Sequence, residues 1–366
     1  MPPLNDLTGS DVKTAAILSA VVLLLTACAT SGPAAQVTPS TSIGSKTTAS
    51  ASPTAPTGQC SLPVFSQDPT TNTGSGFFVS IPSGSVRQDA SGQISYDQGG
   101  QRSRTASDPV LYGGGLVGSY DGLAGRWVPV DLSAISPDGL SYAYGYQPPG
   151  PSNAWQIRFV DVRSGKEHVA FTGPSPNGYD VVGFTNDGIY FTRGAPGSNG
   201  LWRLDPSSGD ATPITSTPIR WRDASHGAAW ATQPNPQHPV LEQGGPLFDQ
   251  LLRVDLTSRA TSQWLTLTGQ FLVVIGVDAD GHALVQSVST TANRIIVVTT
   301  QGTGTTIYSG PGNGASGFLQ LSGFNTAVPD GKRIWFGTQA GVFAYDDGTF
   351  AKVADSDGFV AGTCQP

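Results

Sequence analysis

A short turn recurs five times along this chain, and that recurrence limits its fold more than any other feature. The clearest copy is Ser136-Pro137-Asp138-Gly139, followed by Leu140-Ser141-Tyr142-Ala143-Tyr144. Asn186-Asp187-Gly188, Ser225-His226-Gly227, Asp280-Gly281 and Pro329-Asp330-Gly331 repeat it with more or less decay. The anchoring glycines are 49, 39, 54 and 50 residues apart. A second run follows each turn, as in Ile157–Val162, Leu201–Asp205, Leu251–Leu256, Arg294–Val298 and Val342–Asp346. Alternating apolar runs bounded by Gly, Pro, Asp and Asn read as strands and hairpins. A period of 40–50 residues with about four strands per unit is that of a β-propeller blade. A blade is a twisted sheet with two apolar faces and can hide neither alone. Stacking blades round an axis covers both, and closing the ring removes the exposed end blades.

Composition agrees with an all-β chain. Gly 47 and Pro 28 are high for 366 residues, while Glu occurs only at Glu167 and Glu242. No stretch carries the Ala/Leu/Glu/Lys mixture of a surface helix. The segment 61–130 lacks the Asp-Gly turn but holds strand-like runs such as Gly76–Ile81 and Arg126–Val130. It reads as a first, irregular blade, which brings the count to six. Seven follow instead if 350–362 builds a further sheet; the expectation is that it completes the first blade.

Ser136-Pro137-Asp138-Gly139 with its aromatic strand, and Val328-Pro329-Asp330-Gly331-Lys332, resemble the TolB-type, WD-repeat-like propeller repeats of bacterial envelope proteins. The resemblance covers roughly 130–355. It implies a propeller and, by analogy, a protein-interaction module of the cell envelope. The Trp-Asp and Gly-His marks of true WD repeats are absent.

The start of the chain carries an address. Leu25-Thr26-Ala27-Cys28 follows the apolar run Ala15–Leu25. Such a run fits the core of a secretory signal better than a spanning helix of about 20 residues. The order resembles the lipobox of bacterial lipoproteins, which implies cleavage before Cys28 and a diacylglycerol on its sulfur. The expected organisation is a signal peptide over 1–27, a lipid-anchored Ser/Thr/Pro-rich linker over 28–59 and the propeller over 60–366. The linker has one charge, Lys46, and no aromatic residue. It cannot bury enough apolar surface to offset the entropy of ordering. With Cys28 taken by lipid, Cys60 and Cys364 remain as an even pair in an oxidising compartment, so a disulfide joining the two ends of the ring is expected.

The net charge is −7. No Lys/Arg cluster stands out, which disfavours nucleic acid and an anionic bilayer surface as direct partners. The membrane is expected as a partner only through the anchor on Cys28, and the chain is expected to be a monomer.

No catalytic constellation stands out. Gly113-Gly114-Gly115-Leu116-Val117-Gly118 matches a dinucleotide fingerprint in letters, yet no helical pattern follows to face a pyrophosphate. Asp278-Ala279-Asp280-Gly281 and Asp355-Ser356-Asp357-Gly358 look like calcium loops, but an EF-hand needs Gly sixth and Glu twelfth. Those positions hold Ala283 and Ser289 in one, Val360 and Pro366 in the other. The four histidines, His168, His226, His238 and His282, have no zinc-motif spacing. No metal or cofactor is expected. Trp155, after the loop 147–154, and the repeat-turn residues His226 and His282 are the candidate binding residues, and the insert 233–250 is a second candidate loop. Exposed aromatics on long loops suit glycan or peptide recognition. The leading expectation is a binding or scaffold module for a protein, peptide or cell-wall glycan. The alternatives are a propeller lyase or hydrolase with an axial site, and an envelope sensor lipoprotein. Three or more His, Asp or Glu side chains converging on the axis would favour an enzyme.

Overall fold

The computed structural model describes residues 59–366 apart from 150–153, 175–177, 194–199, 218, 236–246, 317–318 and 322–326. Cys28, the boundary at 27/28, most of the 28–59 linker, and the tips of both candidate loops lie outside the described residues.

The chain is all-β. Blade 1 is built from β1 (Cys60–Asp68), β2 (Thr73–Ile81), β3 (Val86–Asp97), β4 (Arg102–Thr105) and β5 (Tyr112–Gly113). A hairpin of β6 (Ser119–Asp121) and β7 (Arg126–Val128) follows, then one 3-10 turn, η1 (Leu132–Ala134). Blade 2 contains β8 (Ser141–Tyr146), β9 (Ala154–Asp161) and β10 (Glu167–Pro174), with a bridge from Ile135 to Tyr142 in place of an inner strand. Blade 3 is β11 (Tyr179–Thr185), β12 (Gly188–Arg193), β13 (Leu201–Leu204) and β14 (Ala211–Thr215). Blade 4 is β15 (Arg220–Ser225), β16 (Ala228–Gln233), β17 (Gln250–Asp255) and β18 (Thr261–Thr266). Blade 5 is β19 (Phe271–Val277), β20 (Ala283–Val288), β21 (Ala292–Thr300) and β22 (Thr303–Pro311). Blade 6 is β23 (Ala327–Asp330), β24 (Arg333–Thr338), β25 (Gly341–Asp346) and β26 (Thr349–Ala354). Within each blade the strands pair antiparallel with their sequence neighbours.

The ring closes on itself. The last strand, β27 (Phe359–Val360), leaves blade 6 and pairs with β1, Val64 opposite Val360 and Phe65 opposite Phe359. Cys60 and Cys364 are disulfide-bonded beside that seam, with Cα atoms 5.6 Å apart. The stretch 350–362 therefore divides. β26 finishes blade 6, and only 359–360 completes blade 1. The hydrophobic core divides into one cluster per blade interface and a seventh, with Phe65, Phe78, Ile94 and Trp127, between blade 1 and the β6–β7 hairpin. Leu62, Val79, Val328 and Trp335 join blades 1 and 6; Ile275, Leu284, Ile334 and Phe336 join 5 and 6. Trp230, Leu251, Val274 and Val285 join 4 and 5; Tyr190, Leu201, Trp221 and Leu252 join 3 and 4. Ala143, Ile157, Tyr179 and Phe191 join 2 and 3, and Leu111, Val128, Tyr142 and Val160 join blade 1's extension to blade 2.

Four of the five sequence turns sit between the first two strands of a blade, and the fifth, Ser136–Gly139, sits between the Ile135 bridge and β8. Each of Gly139, Gly188, Gly227, Gly281 and Gly331 has positive φ, from +63° to +135°. That region is open to glycine and costly for residues with a Cβ. At the hub the first strands of successive blades touch, β11 against β15 and β19 against β23. Gly183 on β11 permits one such approach: a Cβ there would lie 2.1 Å from the carbonyl oxygen of Ala224 on β15.

Candidate functional site

Three places gather polar side chains without satisfying them fully within a strand ladder. The first is a cleft of about 390 Å³ beside the ring seam. Asp68 and Thr73, at the β1–β2 hairpin, stand with Ser75 and Gln88 on one side. Asp357, on the segment leading into β27, stands on the other, and Phe77 and Val86 supply apolar wall. The backbone N–H groups of Thr70 and Thr71 donate to Asp68 Oδ1 at 2.9 and 3.4 Å. Hydrogen bonds from Thr70 and Thr71 hold the Asp68 carboxyl below the usual carboxylate range, so it is an ionised acceptor at neutral pH. The lining is hydroxyls, amides and two carboxylates over a small apolar floor, and its volume suits a small ligand.

The second place is the hub. η1 lies against β8, β11 and β15, where it stands in for the missing inner strand of blade 2. Asp131 precedes η1 and makes no capping hydrogen bond to it. Asp180 is the second residue of β11. Arg222 is the extra residue of a β-bulge in β15, between Trp221 and Asp223, at the level where β11 and β19 are also bulged. A bulge re-aims a side chain, and here it sets a guanidinium in the field of both carboxylates. Burial first, and Asp180 second, push the Asp131 carboxyl up to about 6, with Arg222 opposing. Desolvation by the packed chain around it also raises Asp180, although that residue keeps contact with solvent, again with Arg222 opposing. Among the described residues, two carboxylates and one cation thus meet here, one acid short of the three-group convergence that would mark an enzyme.

The third place is the pair of repeat turns in blades 4 and 5. His226 is exposed with φ +49°, and His282 is half-buried. The structure brings their turns together: a Cβ on Gly281, next to His282, would lie 3.1 Å from the Cβ of His226. Asp278 Oδ1 accepts the backbone N–H of Asp280 at 3.0 Å and of His282 at 2.8 Å, and His282 Nδ1 lies 3.0 Å from Asp278 Oδ2. Asp223 on β15 is buried; burial first pushes its carboxyl up to about 6, while the Ser225 hydroxyl, 2.5 Å away, and the nearby His226 oppose the shift.

Trp155 departs from the expectation of an exposed loop aromatic. It lies on β9, half-buried among the side chains between blades 2 and 3, with its ring over Gly178. The alternation of β9 directs it into the interface. Gly113–Gly118 is followed by the β6–β7 hairpin rather than a helix, and Gly113 packs on the carbonyl of Pro129. Sequence reasoning passed over one network. Glu167 is hydrogen-bonded by Arg102 of blade 1, by Arg158 at 2.7 Å and by the Tyr144 hydroxyl at 3.1 Å. The scarcity of Glu was the one signal that marked it.

The chain matches no protein-family profile and no curated protein. Solved structures resemble it weakly. One from a study of two prolyl endopeptidases has 12% identity and a TM-score of 0.46, covering 79% of this chain and 49% of its own. TolB from Acinetobacter baumannii has 15% identity and a TM-score of 0.40, covering 80% and 62%. A protein from Lactobacillus plantarum has 10% identity and a TM-score of 0.46, covering 84% and 99%. This chain therefore spans about half of the first and under two thirds of the second. The six-bladed fold rests on the sheet order and the interface clusters. Among the described residues no helix is long and apolar enough to cross a membrane, and the disulfide is compatible with an extracytoplasmic setting.

Proposed function

We propose that this chain is a lipid-anchored propeller outside the cytoplasm that binds a neutral, polyhydroxylated ligand, a cell-wall glycan, in the cleft beside the ring seam. The observation that carries the reading is the cleft's chemistry: hydroxyls, amides and the carboxylates of Asp68 and Asp357, with no Lys or Arg among its lining residues. Such groups pair with sugar hydroxyls as donors and acceptors, and the exposed Val86 offers apolar contact to a ring face. The Cys28 anchor and the linker to 59 would hold the ring at reach from the membrane. A Cys28→Ser variant is then released from membranes. Calorimetry with isolated cell-wall glycan fragments reads the cleft. Gln88→Ala and Asp68→Ala are each expected to weaken binding about tenfold, as loss of a hydrogen bond to a charged or polar partner does. Fragments that do not bind, or that bind both variants as well as the parent, would sink the reading, as would capture of a protein partner that ignores both substitutions.

The hub supports a second reading. Asp131, raised to about 6 beside Asp180, has the proton affinity of a general acid. A lyase or hydrolase acting on the same class of ligand would lose turnover in Asp131→Asn while keeping its affinity at the cleft.

A further inference from the structure

We propose that the facing repeat turns of blades 4 and 5 form a site for one divalent transition-metal cation, ligated by Asp278, Asp280 and His282 of blade 5 and by His226 of blade 4. The proposal is independent of the glycan reading and uses none of its residues. One donor atom from each of Asp278, Asp280 and His282 falls within 4.8 Å of the other two. Donors on a common zinc ion lie roughly 2.0–2.2 Å from the metal, so they stand a little over 3 Å from one another. The 3.0 Å between His282 Nδ1 and Asp278 Oδ2 already has that spacing. Asp280 is exposed and closes the remaining gap by a rotamer change.

The fourth ligand comes from the neighbouring blade. The His226 side chain packs against Gly281, its Cβ 3.1 Å and its Nδ1 3.9 Å from where a Cβ on that glycine would stand, and a rotamer change at this exposed residue would turn the imidazole onto the cluster. Gly281 lies between Asp280 and His282 in the chain, so His226 of blade 4 packs on the stretch that bears two of the other ligands. A side chain at 281 would crowd His226; glycine leaves the approach open. The buried carboxyl of Asp223, in the field of His226, adds a third acidic group. A cation placed here offsets that negative charge and joins two blades. Imidazole with carboxylate favours zinc, nickel or copper over calcium or magnesium, which prefer all-oxygen sites. Three of the ligands share the Asp278–His282 turn, and only His226, from the turn one repeat earlier, is out of reach of local sequence spacing.

The test uses the full chain without a histidine tag, stripped with chelator and titrated with Zn²⁺ alone by calorimetry. One Zn²⁺ is expected to bind per chain, with Ca²⁺ giving no saturable heat at the same concentrations. His282→Ala and His226→Asn, the second retaining a residue that accepts positive φ, are each expected to weaken binding at least about tenfold. His168→Ala, on blade 2, is expected to change nothing. If His282→Ala does not fold, the exposed Asp280→Asn takes its place and must show the same loss. No saturable Zn²⁺ binding, or an affinity unchanged in the turn variants, overturns the proposal.

Discussion

The carboxylate of Asp330 in blade 6 accepts the backbone N–H of Cys364 at 3.2 Å, so the residue tied through sulfur to blade 1 is also held by blade 6. The same Oδ2 accepts the indole N–H of Trp335 at 3.0 Å, and Trp335 is fully buried. One repeat-turn aspartate thus links the seam to the core. Asp330→Ala would strand the indole donor and release the C-terminal segment. A loss of about 1–3 kcal/mol is expected, the cost of unpairing a buried polar group. Urea titration followed by tryptophan fluorescence measures it. An Asp330→Ala protein as stable as the parent would show that water replaces the carboxylate without penalty.

The disulfide spans 304 residues of sequence. Linking points so far apart removes much freedom from the unfolded chain. The loop-entropy model puts the effect at roughly 5 kcal/mol as an upper value, and measured bridges give about 2–5. The β1–β27 pairing is only two residues deep in β27, so the bridge adds to a seam otherwise held by a short ladder, the Ser61–Gln365 bridge and the blade 1–6 core. Cys364→Ser is expected to lower the unfolding midpoint without changing the far-ultraviolet circular dichroism of the folded state. Equal midpoints for oxidised and reduced parent protein would contradict this.

Asp223 makes stability depend on pH in an unusual direction. Its carboxyl is pushed up to about 6 in the folded chain, chiefly by burial, against about 3.9 when unfolded. Folding therefore favours the protonated form. That contribution is fully present below about pH 4 and is lost as pH rises through about 6. At pH 7.5 the buried charge costs about 1–3 kcal/mol by the same relation. Asp223→Asn keeps an oxygen to accept the Ser225 hydroxyl and should raise the melting temperature at pH 7.5 while changing it little at pH 4. The ordinary turn carboxylates Asp161, Asp205 and Asp255 are lowered by their Ser neighbours and act the opposite way, below about pH 4. A variant that melts as the parent does at both pH values would show that Asp223 is solvated in the folded state.

The blades were legible because their turns demand particular residues. Positive φ at Gly139, Gly188 and Gly281 selects glycine, and the apolar runs that follow are buried on both faces between neighbouring blades. Trp155 was misplaced because the Pro- and Gly-rich run before it hides where β9 begins at Ala154. The hub was not seen because Asp131 and Asp180 are remote in sequence. Yet they are 49 residues apart, the same separation as Gly139 and Gly188. Carrying the repeat offset over to the charged residues would have paired them. The sequence placed His226 and His282 together at repeat turns, and only the ring geometry shows that those turns face each other.

The outer hairpins repeat as closely as the inner ones, and one of them departs from the rule in a way that can be measured. Asp161, Asp205 and Asp255 each accept a backbone N–H from the serine three residues on, at 2.7, 3.3 and 2.8 Å. In each, the residue four positions on returns its N–H to the aspartate carbonyl, at 2.9, 2.9 and 2.8 Å. That residue is Gly165, Gly209 and Arg259, with φ of +69°, +78° and +61°. Arg259 alone carries a Cβ, which costs about 1–2 kcal/mol in this region. Glycine removes that strain but adds unfolded-state freedom of about 0.5–1 kcal/mol. Arg259→Gly is therefore expected to stabilise the chain by up to about 1 kcal/mol, and Gly165→Ala to destabilise it by a similar amount. Paired denaturation curves at neutral pH give both values. A destabilised Arg259→Gly would mean that contacts of the arginine side chain outweigh the backbone strain.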